Sequence, residues 1–77
     1  MDISNLVSMA NRIGIFFESM PDKDQAKKDL AIHISKFWEP RMREELMSQL
    51  DTPATSDLLN IVKVAVLENK HILIRKI

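Results

Sequence analysis

The chain has 77 residues, no cysteine, one glycine and three prolines, and its 11 Lys and Arg balance 11 Asp and Glu. That composition excludes a disulfide or thiolate–zinc scaffold, a glycine-rich phosphate loop, and the basic excess with which nucleic-acid binders displace phosphate counterions. A single domain of this size builds a marginal core, worth about 3–5 kcal/mol, so burial against another chain is the remaining source of stability.

Pro21, Pro40 and Pro53 cut the chain into four pieces, because proline lacks the amide hydrogen and disfavours a helical residue before it. In the first piece, Leu6, Met9, Ala10, Ile13, Phe16, Phe17 and Met20 recur at helical spacing and form one apolar stripe, with Asp2 or Ser4 able to cap its start. Gly14 flanks that stripe. It is either a tolerated defect or a point where another backbone comes close.

The second piece opens on Pro21-Asp22, a turn and cap pair, and places Ala26, Leu30, His33, Ile34 and Phe37 on one face, with Ala31 and Trp38 at its edge. The third begins at Glu39-Pro40, where proline suits the first helical position, and carries Met42, Leu46, Met47 and Leu50 inward. After the loop Asp51–Ser56, the last piece is apolar nearly all round from Leu58 to Leu67. A helix to about Lys70 with an extended or irregular tail is expected. Its isoleucines and valines also suit a hairpin of Ile61–Leu67 with His71–Ile77. The fold class is therefore all-α: one domain of three or four short helices packed as antiparallel neighbours.

Nothing in the pattern assembles a catalytic site. Nucleophilic chemistry needs a nucleophile beside a base. His33 stands alone on an apolar face, where a half-buried, hydrogen-bonded imidazole is expected, and His71 lies in the tail. Glu44 and Glu45 are adjacent, so a helix aims them apart. No metal, flavin or pterin is expected to bind. No run reaches the roughly 18 apolar residues of a membrane span, and Met1–Asn5 lacks the basic region of a secretory leader, so a cytoplasmic location is expected.

The most informative stretch is Phe37-Trp38-Glu39-Pro40-Arg41-Met42-Arg43. Tryptophan and arginine are enriched among residues that dominate binding energy. Trp38 lies at the rim of its stripe, and Pro40 presents Arg41 and Arg43 on the first turn of the next helix. A helix start is electropositive, so these arginines do not serve the local dipole. Trp38, Pro40, Arg41, Met42 and Arg43 are the expected partner-binding residues. Local packing of Trp38 and local ion pairs for the arginines are the alternative.

Met9-Ala10-Asn11-Arg12-Ile13-Gly14, Phe16-Phe17, Pro21-Asp22, Ala31-Ile32-His33-Ile34 and the Phe37–Arg43 run together resemble the delta subunit of NAD-dependent formate dehydrogenase. Arg12 stands where glutamine is common in that family, and Ile34 where leucine is common. The resemblance covers about residues 3–50, which divides the domain into a family-like part, 1–50, and a divergent C-terminal helix and tail, 51–77. It implies an accessory subunit without a cofactor of its own, partnered with a catalytic alpha subunit that holds a molybdenum- or tungsten-bound pterin and iron–sulfur clusters. Beta and gamma subunits would pass electrons through flavin and clusters to NAD. A transient maturation chaperone for the alpha subunit is the alternative. A helix-turn-helix regulator is a further one, which the zero net charge opposes.

Overall fold

Asp2 and Asp22 set the first two helices going. Each places a side-chain oxygen on an otherwise orphaned backbone N–H, from Ser4 at 3.0 Å and from Gln25 at 3.1 Å. The computed structural model describes residues 2–74. It contains α1 (Ile3–Glu18), α2 (Lys23–Phe37), α3 (Pro40–Ser48), a 3₁₀ turn (Pro53–Thr55), α4 (Asn60–Glu68) and α5 (Lys70–Leu73). The fold is all-helical, with no strand among the described residues.

The prolines act as expected. Pro21 precedes the Asp22 cap, while Pro40 and Pro53 each open an element at the position where a missing donor costs nothing. After α3 the chain reverses at Asp51, whose φ of 62° is left-handed, a conformation aspartate tolerates better than most residues.

The helix count exceeds three or four because the last piece is divided at Asn69. The buried Asn69 side chain donates to the Ala65 carbonyl, while the Asn69 main-chain carbonyl accepts from the Ile72 and Leu73 amides. Lys70–Leu73, expected as extended tail, winds one more turn and buries Leu73. Residues 75–77 of that tail lie outside the described residues. Ile61–Leu67 is helical rather than half of a hairpin. Burial of Val62, Ala65 and Val66 on one side outweighs the strand preference of its branched side chains.

α2 is the hub and touches α1, α3, α4 and α5. Leu6, Leu30, Ile34, Leu46, Val62 and Val66 are fully buried, and Ala10, Ala26, Ala31 and Ala65 let the helices approach closely. Gly14 extends this theme. A Cβ built there would lie 2.6 Å from Val62 Cγ2, well inside contact distance, so α4 fits a notch that only glycine leaves open. The close approach is by side chains of α4 rather than by another backbone.

Asn11 fixes the same contact. Its Nδ2 donates to the Asp57 carbonyl at 2.9 Å, and its Oδ1 accepts from the Leu59 amide at 2.9 Å. Leu59 caps α4 and has no side-chain oxygen to offer, so Asn11 fixes the approach to that helix from α1.

Candidate docking surfaces

The turn between α2 and α3 is built around Arg43. Its Nε donates to the Leu73 carbonyl at 3.1 Å, and its Nη1 donates to the carbonyls of Ser35 at 2.9 Å and Trp38 at 2.8 Å. Those oxygens belong to the ends of α2 and α5, where carbonyls lack helical partners and the dipole is negative. The guanidinium is buried and faces main-chain oxygens, with no carboxylate paired to it among the described residues. The arginine does serve helix dipoles, but those of two other helices rather than its own.

Trp38 is likewise interior. As the C-cap of α2 it adopts extended backbone angles and joins Ile34, Leu46 and Leu73 in the core, 5% exposed. The expectation that part of its ring stays available at a rim is corrected by this burial. The other three expected site residues face outward to different degrees: Pro40 and Arg41 are exposed, and Met42 is half-buried against the core. Arg41 stands with Glu39, Met42 and Glu45 around a small depression of mixed polarity.

A different surface emerges from the apolar stripe of α1. Of the seven residues expected to face inward, only Leu6 and Ala10 are buried; Val7 and Gly14 on their flank complete the inner face. Met9 and Phe16 remain exposed, Phe16 by 69%. On α2, His33 is half-buried and Phe37 is 72% exposed. The stripe is wider than the other helices of so small a domain can cover.

These outer residues line up. Phe16 meets Phe17 edge-on with ring centres 5.1 Å apart, Phe17 meets His33 at 6.0 Å, and His33 tilts over Phe37 at 4.7 Å. Four rings thus form one row across α1 and α2. Edge-on and offset rings attract through their quadrupoles, so the row is held in shape without being covered. His33 is half-buried as expected, and its ring lies between those of Phe17 and Phe37. Arg12, Ile13, Phe16, Phe17 and His33 line an open groove of about 360 Å³ along the row.

No group of three or more His, Cys, Asp or Glu among the described residues could hold a metal ion. No described helix is long and apolar enough to cross a membrane.

The model of the family described as NADH-dependent formate dehydrogenase delta subunit FdsD matches residues 5–66. The chain belongs to that family. Membership implies a complex with other formate dehydrogenase subunits. No curated protein and no solved structure gives a match. The family match runs past Leu50, through the 3₁₀ turn and most of α4, and the structure supplies a reason. Asn11 and Gly14 of the Met9–Gly14 motif both act on α4, so the first and last parts of the matched span depend on each other.

Proposed function

We propose that the chain is a non-catalytic accessory subunit that binds the catalytic alpha subunit of a formate dehydrogenase. In this role it helps assemble or stabilise the cytoplasmic complex that the alpha subunit forms with beta and gamma subunits. The reading is supported by the ring row Phe16–Phe17–His33–Phe37 on the surface of a domain whose core is already closed by Trp38 and Arg43. Large exposed apolar patches mark partner surfaces. Along the chain from Phe37, exposed Pro40 and Arg41 with half-buried Met42 form a second contact, while Trp38 and Arg43 hold it in place from within. The chain contributes no cofactor and reaches the reaction only through the alpha subunit.

Co-expression of the tagged chain with the alpha subunit, with and without beta and gamma, tests this. Stoichiometric co-purification of the finished enzyme in high salt is expected. Release of the chain before the enzyme matures would make it a chaperone instead, and a chain that never captures the alpha subunit would sink the reading.

A further inference from the structure

We infer that the groove along the ring row receives an amphipathic segment of the partner subunit whose apolar side is flanked by carboxylates. This rests on the accessory-subunit reading and adds the chemistry of what docks. The floor of the site is apolar, formed by Ile13 and the rings of Phe16 and Phe17. Arg12 is the charged residue that lines the groove. Lys36 and Asp29, three residues after and four before His33, share that side of α2, so cations outnumber acids around the rings.

Neither cation makes an ion pair among the described residues, whereas Lys27 and Lys63 do. Lys27 meets Glu68 at 2.9 Å and Asp24 at 3.5 Å, and Lys63 meets Asp51. Asp29 accepts a hydrogen bond from Gln25 at 2.8 Å, which orients its carboxylate and leaves its charge in place. Glu18 lies in a separate depression with Lys23, Lys27 and residues of α4. Among the described residues, Arg12 and Lys36 thus stand beside this apolar groove without an acid paired to either. A second copy of the chain would present the same two cations at this rim, whereas a partner segment with acids on its flanks matches both the apolar row and the charge. Such complementarity acts mainly on the rate of encounter, and apolar anchors act on retention.

The test is binding of the full-length chain to the immobilised alpha–beta–gamma complex prepared without it, at low and high salt. Reversing the rim with Arg12→Glu and Lys36→Glu together should slow association about tenfold at low salt and flatten its salt dependence. Reversing an exposed lysine that does not line the groove, Lys70→Glu, should change neither. Phe16→Ser with Phe37→Ser should weaken affinity about 100-fold, mainly through faster dissociation. Thermal melting of each variant confirms folding, and the charge pair is judged on its own because both side chains are exposed. If wild type binds and the reversed rim associates at the wild-type rate, the inference fails while the accessory-subunit reading stands. If wild type does not bind, both fail.

Discussion

Phe37 and Trp38 are consecutive, yet one is 72% exposed and the other 5%. Phe37 ends α2 on its outer side, continuing the ring row. Trp38 leaves the helix with an extended backbone, turns into the core, and gives its carbonyl to Arg43. The two neighbours belong to two regions with opposite duties. One is a closed junction in which a buried cation gathers three main-chain oxygens; the other is an aromatic surface whose outer rings, Phe16 and Phe37, stay exposed. Trp38 and Arg43, of the residue types most often found dominating interfaces, here maintain the fold, while Phe16 and Phe37 stay exposed.

The sharpest way to break this contrast is Arg43→Ala. It removes three hydrogen bonds from a charged donor and should cost about 3 kcal/mol, most of what a domain of this size possesses. Urea unfolding of the free chain should therefore show a large loss of stability. A variant that unfolds at the wild-type midpoint would put Arg43 on the docking side of the comparison.

Gly14→Ala should have a smaller effect. Overpacking against Val62 costs about 1–3 kcal/mol, and improved helix propensity returns about 1 kcal/mol, so a net loss of about 1 kcal/mol is expected. Shortening Val62 to Ala in the same chain should remove the steric part, so the double-mutant cycle should show coupling between the two sites. Additive losses would mean that the notch does not constrain α4.

The smallest effect on the free chain should come from Phe16→Ser with Phe37→Ser. Both rings are mostly solvated, so the thermal midpoint should stay within the range of ordinary surface changes, about 0.5 kcal/mol. A drop comparable with that of Arg43→Ala would show that the row is part of the core.

Much of the architecture was legible in the amino-acid pattern. Asp22 and Pro40 announced the starts of α2 and α3, and helical spacing identified Leu6, Ala10, Leu30, Ile34 and Leu46 as interior. Periodicity tells which side of a helix is apolar, but not how much of that side a neighbour will cover. Phe16 and Phe37 therefore read as core beside Leu6 and Leu30. The available signal was numerical: α1 and α2 carry more large apolar residues than so small an interior can enclose. Arg43 was misread for another reason. Its acceptors are the main-chain oxygens of Ser35, Trp38 and Leu73, and every residue has one, so no side-chain pattern marks them. Asn11 was hidden in the same way, since it binds a carbonyl and an amide more than 40 residues along the chain.

That span has a consequence during synthesis. Asn11 and Leu59 are 48 positions apart. At about 5–20 residues per second, α1 leaves the ribosome about 2–10 s before the helix it must hold. Through that interval Gly14 faces no Val62, and the nascent chain carries two uncovered apolar sides. Arrival of α4 closes the first. At the second, the row of rings, Phe16 and Phe37 stay exposed even on the completed chain.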